Sequence, residues 1–183
     1  NIQRYADIYD TRSRIFVCKQ FGKCIGAARL QITDHSERLE FQNHSELPKD
    51  FPKNFEIIEL SRFVYDSNYN KQQTILNLFK RCLYVAVESE RNWIVASVVK
   101  EDFEHFQKLG FRKTSVSYPL NITPSQTIEH HMFLYDVKRE IVNNKSFSPK
   151  NSFIIENSMD LAIMKGIYNI PIVTRLKTKA LSK

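Results

Sequence analysis

A mixed α/β sheet with crossover connections follows from three stretches of this sequence. The first, Phe55-Glu56-Ile57-Ile58-Glu59-Leu60-Ser61-Arg62-Phe63-Val64-Tyr65, is an apolar, β-branched run with the composition of a buried strand. In the second, Lys71 to Arg91, the residues Ile75, Leu78, Phe79, Cys82, Leu83, Val85 and Ala86 recur at helical spacing and form one broad apolar face. The third, Trp93-Ile94-Val95-Ala96-Ser97-Val98-Val99, is apolar at nearly every position, the pattern of a strand covered on both faces. A strand, a long helix and a second strand in this order predict a layered α/β architecture.

The remaining elements are read around these three. Ile2 to Val17 has helix-compatible apolar spacing at Tyr5, Ile8, Tyr9 and Phe16, with Arg12 and Arg14 near the end where they oppose the helix dipole. Phe21-Gly22-Lys23 is a turn into a strand of small and apolar residues, Cys24 to Ile32, which contains Arg29. Thr33 to Asn54 is polar and broken by Pro48 and Pro52, so it reads as a loop, with a short strand at Leu39 to Gln42. Asp66 to Asn70 is turn chemistry that leads into the long helix. A short helix from Glu101 to Leu109 is closed by Gly110, and strands follow at Phe111 to Tyr118 and Thr127 to Val137. Ile154 to Tyr168 has helical spacing before a basic tail.

The 183 residues, 42% hydrophobic and 26% charged, suit one domain over 1–183, with a core over about 1–140 and an extension over about 141–183. No stretch approaches the roughly 18 consecutive apolar residues of a membrane span, and no leader pattern precedes Ile2, so no stable membrane insertion is expected. Cys18, Cys24 and Cys82 are an odd set without metal-type spacing, which suits reduced thiols in a cytoplasm. The net charge of +7 calls for an acidic partner. Dispersed lysines and arginines, without aromatics interleaved on a strand, argue for a protein or a phosphorylated ligand over nucleic acid.

Charges inside apolar strands are the sharpest signal. An ionised group buried without a partner costs several kcal/mol, so Glu59 and Arg62 either satisfy each other as a structural ion pair or face a cleft. Their odd spacing puts them on opposite faces of a regular strand. A shared site therefore requires a β-bulge near Leu60 to Arg62, which would also release backbone N–H groups.

The element order, with Leu109-Gly110-Phe111 leading into a late hairpin, resembles the GCN5-related N-acetyltransferase (GNAT) superfamily. That resemblance implies a mostly antiparallel sheet whose two central parallel strands splay apart at the substrate site. Glu59-Leu60-Ser61-Arg62-Phe63 resembles the Glu-x-Ser-Arg-Phe signature of the acyl-homoserine-lactone synthases, the autoinducer synthases of quorum sensing. Arg12 and Phe16 resemble that family's first motif, Arg29 its second-strand arginine, and Leu78-Phe79 fits its long helix. The likeness spans roughly Ile8 to Val137. It implies transfer of an acyl group from a thioester, on acyl carrier protein or coenzyme A, to the amine of S-adenosylmethionine, followed by lactonisation.

Two departures bear on that expectation. The family's loop between first helix and second strand carries a tryptophan and two aspartates of the S-adenosylmethionine site, whereas here Val17 runs directly into Cys18-Lys19-Gln20. Either the loop is missing from this sequence between Val17 and Cys18, or that part of the site is lacking and the chain resembles the related N-acyl amino acid synthases, which acylate another amine. Residues 67–73 also lack the glycines of a coenzyme A pyrophosphate loop, which favours delivery by the acidic acyl carrier protein.

Amide formation requires a neutral amine, so a carboxylate must accept its proton directly or through one water. Glu59 is the expected base. Arg62 and Arg29 would hold it ionised or bind the acceptor's carboxylate. Backbone N–H groups near Phe63 and Val64 would meet the thioester oxygen, Ser61 adjoins them, and Phe16 and Phe63 would line the acyl tunnel. Lys71, Lys80 and Arg112 are expected at the carrier's entrance. No tightly bound cofactor and no metal are expected, because His130 and His131 are adjacent on a strand and point apart. Cys82 reads as packing, and His105 with Glu104 as a solvated helix face. A non-catalytic basic module that binds an acidic protein or nucleic acid is the third reading.

Overall fold

The computed structural model describes residues 8–34, 37–123 and 125–142. Its elements are β1 (Ser13–Gln20), β2 (Lys23–Ile32), β3 (Ile57–Tyr65), α1 (Lys71–Glu88), β4 (Trp93–Val98), α2 (Phe103–Lys108), β5 (Arg112–Thr123), β6 (Gln126–Asp136) and α3 (Val137–Val142). The six strands form one sheet in the order β1-β2-β3-β4-β6-β5. Neighbours run antiparallel except β3 and β4, which are parallel and joined by the α1 crossover. This is the mixed, mostly antiparallel sheet expected.

Each face of the sheet carries its own core. Ile58, Leu60, Ile94 and Phe133 pack under Leu78, Phe79, Cys82 and Leu83 of α1. On the opposite face Ile57, Val95, Val116 and Met132 are covered by Leu39 and Phe41 from the β2–β3 connection. Burial at both faces explains why β4 reads as an unbroken apolar run. Cys82 is fully buried in the first core, and burial pushes its thiol far above the ordinary range, which suits packing and not nucleophilic chemistry.

Two expectations fail. Residues 13–20 are not the end of a helix. They form edge strand β1, and of the expected helix Ile2–Asp7 lies outside the described residues. Ile15 and Val17, β-branched and two apart, suit a strand, and Ser13–Gln20 pairs along its length with β2. That pairing outweighs the helical spacing of Ile8, Tyr9 and Phe16. β1 passes through Val17 and Cys18 without an inserted loop and returns through a two-residue turn, Phe21 (φ 48°) and Gly22 (φ 78°). Leu39 to Gln42 is also not a strand, because Glu40–Asn43 is a three-ten turn. Gln42 Oε1 accepts from Leu39 N at 2.8 Å, a local bond that closes the turn, and the alternating apolar pair Leu39 and Phe41 is buried from it. The expected helix at Ile154 to Tyr168 lies outside the described residues.

β3 carries one irregularity in its pairing with β2. Its register with β2 pairs Arg29 with Ser61 but Ala27 with Val64, so Arg62 and Phe63 together oppose Ala28. Arg62 has φ 48°, a left-handed conformation that costs a non-glycine residue on the order of 1 kcal/mol. Side-chain parity shifts across this bulge. Ile58 and Leu60 pack toward α1, and beyond the bulge so do Phe63 and Tyr65.

β2 lies close against α1 at Gly26, opposite Tyr65 at the end of β3. A Cβ built on Gly26 would lie 2.6 Å from Thr74 Cγ2, 3.1 Å from Val64 O and 3.3 Å from Leu78 Cδ1. Gly26→Ala is therefore expected to lower the unfolding free energy in urea by about 1–3 kcal/mol through overpacking. An unchanged urea midpoint would contradict this packing.

Candidate active site

Regular pairing of β3 with β4 runs from Ile57↔Trp93 to Leu60↔Ala96. Beyond it the bulge turns β3 away, and a cavity of about 180 Å³ opens between the strands. Leu60, Ser61, Arg62 and Phe63 line one wall, Ala96, Ser97 and Val98 the other, with Phe106, Asp102 and His130 nearby. Phe63 stands edge-on to Phe106 at 5.7 Å, giving the cavity an aromatic end on the α1 side. Divergent strand edges direct backbone N–H and C=O groups into such a gap.

Glu59 lies one step before the gap, on the opposite face from α1, and is 2% exposed. It is held by the three-ten turn. Glu40 N–H donates to Glu59 Oε2 at 2.7 Å and Phe41 N–H to Oε1 at 3.2 Å. Burial and the neighbouring Glu40 carboxylate push the Glu59 carboxyl up to about 8, against the two backbone bonds and the weaker pull of Arg29. The turn is itself fixed by Gln42 and Asn54, whose amides bond reciprocally, while Asn54 Nδ2 also donates to Glu37 O at 2.8 Å.

Glu59 and Arg62 do not pair with each other. They meet through Glu40, which also carries the third group expected at the site. Glu40 Oε1 lies 3.8 Å from Arg62 Nη2, and Glu40 Oε2 accepts from Arg29 Nη2. Arg29, 1% exposed, also donates to Asp10 Oδ1 at 2.9 Å and to Ser61 Oγ at 3.0 Å, over the Tyr9 ring. Arg29, expected to hold Glu59 ionised, does pull that carboxyl downward, but it forms ion pairs with Asp10 and Glu40, and its pull is outweighed by burial and by Glu40. Arg62 is more than half exposed and lines the cavity.

The other expected residues separate. Arg12 lies in a short three-ten turn and pairs with Glu37 at 2.7 Å, holding that carboxyl below its usual range. Phe16 packs toward the α1 core, on the other side of the sheet from Glu59. Val64 is exposed just past the bulge. Lys71 sits at the cavity's edge, 3.1 Å from Asp102 Oδ1 and over the Tyr65 ring, and Lys80 lies midway along α1. Arg112 is not near the entrance. It opens β5 and lies 4.0 Å from Asp136, which pairs with Trp93 at the far end of β4.

Several participants are absent from the sequence reading. Asp10 falls in the stretch read as a helix and Glu40 in the one read as a short strand, and only the structure reveals that they meet Arg29. Tyr118 donates to Ser97 Oγ at 2.6 Å and stacks between His44 (5.4 Å) and His130 (5.9 Å), linking the cavity to the Glu59 side. His131 turns the other way, onto Phe103. Among the described residues no group of three His, Cys, Asp or Glu could hold a metal, and no helix is long and apolar enough to cross a membrane.

Because the folded protein binds the Glu59 proton more tightly than the unfolded chain does, the sign of its linkage is fixed. Its contribution is full below about pH 4.5 and is lost as pH rises toward about 8. Urea titrations across that window should show falling stability in the wild type and a flatter profile in Glu59→Gln. Identical slopes would contradict the burial of a protonatable Glu59.

No family model matches the chain, and no curated protein sequence matches it. Solved structures do. TofI in its apo form is 14% identical, with 79% of each chain covered and a TM-score of 0.58. MesI, a CoA-dependent acyl-homoserine lactone synthase, is 18% identical, with 88% of this chain and 76% of MesI covered and a TM-score of 0.53. A probable acetyltransferase from Staphylococcus epidermidis is 10% identical over 71% of each chain, with a TM-score of 0.51. At these identities the likeness speaks for architecture, and the chain has the GNAT-like acyltransferase fold.

Proposed function

We propose that this chain is an acyltransferase of the acyl-homoserine-lactone synthase type, acting on S-adenosylmethionine and an acyl thioester. The observation that carries this reading is the β3 bulge, which puts Glu59 and Arg62 on one face beside the gap between β3 and β4. The thioester enters the gap, where N–H groups near Phe63 and Val64 meet its oxygen as charge develops. The amine attacks the carbonyl carbon, its proton passes to Glu59 directly or through one water, and the carrier thiolate leaves. Arg62, exposed to the cavity, receives the acceptor's carboxylate. After acylation that carboxylate attacks the methionine γ-carbon and expels methylthioadenosine, which closes the lactone.

MesI supports this reading through its activity, and TofI through its crystallisation with an inhibitor and MTA, a product derived from S-adenosylmethionine. A second reading, transfer to another amino acid, is favoured by the tight β1–β2 turn, which leaves no tryptophan-bearing loop after Val17. The positive net charge suits an acidic carrier protein, with Lys71 at the cavity's edge. A cytoplasmic location is part of the proposal.

Mass spectrometry of extracts from a bacterium expressing the chain should reveal N-acyl homoserine lactones. N-acyl amino acids in their place would select the second reading, and no N-acylated product would overturn both. With the purified protein, the specific rate should rise with pH through about 8 as Glu59 ionises, and Glu59→Gln should lose roughly 10²- to 10⁴-fold with its fold intact. A rate in Glu59→Gln equal to wild type would remove Glu59 from the mechanism.

A further inference from the structure

Glu40 touches Glu59, Arg29 and Arg62. It opens the three-ten turn, its N–H donates to Glu59, and its carboxylate lies between Arg29 of β2 and Arg62 of β3. Beyond Arg29 stands Asp10, and from β5 the Tyr118 phenol faces both Glu40 and Glu59. The phenol is pushed up to about 12 by its burial, so it stays neutral across the working range. Ionising Glu59, which is 2% exposed, places a second negative charge beside the Glu40 carboxylate, where water screens little.

We propose that Glu40 is a positioning residue of this site, whose charge retains the proton on Glu59 and whose carboxylate keeps Arg29 and Arg62 on the Glu59 side of the sheet. It rests on the proposed role of Glu59 for its catalytic meaning, but its electrostatic content stands on the geometry alone. Removing the negative charge from Glu40 removes that repulsion, while Arg29 still favours the ionised form of Glu59. Glu40→Gln keeps the backbone N–H that holds Glu59, so the hydrogen bonds to the carboxylate are preserved while the charge is lost.

The test is a carbon-detected NMR titration of the Glu59 side-chain carboxyl in the full chain, without substrate. In Glu40→Gln the Glu59 midpoint is expected to fall by about one pH unit or more relative to wild type. In Glu40→Asp, which keeps the charge on a shorter side chain, it should stay closer to wild type than to Glu40→Gln. An unmoved midpoint in Glu40→Gln, or a fall in Glu40→Asp as large as in Glu40→Gln, would overturn the proposal. Should Glu40→Gln not fold, the Glu40→Asp arm is read against Arg62→Gln, where loss of a guanidinium should raise the Glu59 midpoint and a fall or no change would overturn it. Because no substrate is present, a wild type without acyl-transfer activity would defeat the functional reading and leave this test intact.

Discussion

Between Arg29↔Ser61 and Ala27↔Val64, β3 places two residues where β2 places one, and the site depends on that mismatch. In a regular strand Glu59 and Arg62 would project from opposite faces, and only one of them could serve a given pocket. The bulge lets Phe63 and Tyr65 rejoin the α1 core while Arg62 remains on the side of Glu40 and Glu59. It also coincides with the end of pairing between β3 and β4, where the cavity opens. One backbone distortion thereby sorts the side chains and makes the space they border.

The second dependence is electrostatic. A carboxyl at 2% exposure is tolerated because two backbone N–H groups of the turn at Glu40 meet its oxygens, and because it can keep a proton. The charges around it form a chain from Asp10 through Arg29 and Glu40 to Arg62. Such a chain fixes the turn against the sheet while leaving Arg62 open to the cavity. A base with a midpoint near neutrality suits proton transfer from an amine better than an ordinary exposed carboxylate does.

Much of this was legible in the residues. Charges inside the apolar run Ile57–Tyr65 marked it out as an unusual central strand, and the odd spacing of Glu59 and Arg62 implied a bulge if both were to serve one site. The α1 face and the doubly covered β4 were equally direct, because burial imposes their periodicity. The amino-terminal segment misled because Tyr5, Ile8, Tyr9 and Phe16 mimic helical spacing, while the pairing of β1 with β2 is a long-range interaction that local pattern does not encode. Glu40 and Asp10 were invisible for a related reason. Each is an ordinary acidic residue, Glu40 in the expected short strand and Asp10 in the expected helix, until the fold brings it to Arg29, a partner 11 and 19 positions away in sequence. Arg112 was misplaced because its charge gave no information about which end of the sheet β5 begins from.

The central claim is that the gap beyond Leu60 and Ala96 receives the reacting carbonyl with Glu59 poised on the amine's side. A crystal structure with a non-hydrolysable acyl-thioester analogue and the acceptor would test it most directly. The account predicts the carbonyl oxygen about 3 Å from β3 backbone N–H groups near Phe63 and Val64, the amine within reach of Glu59 directly or through one water, and the acceptor carboxylate on Arg62. An analogue bound away from this gap, or an amine on the α1 side of the sheet, would contradict it.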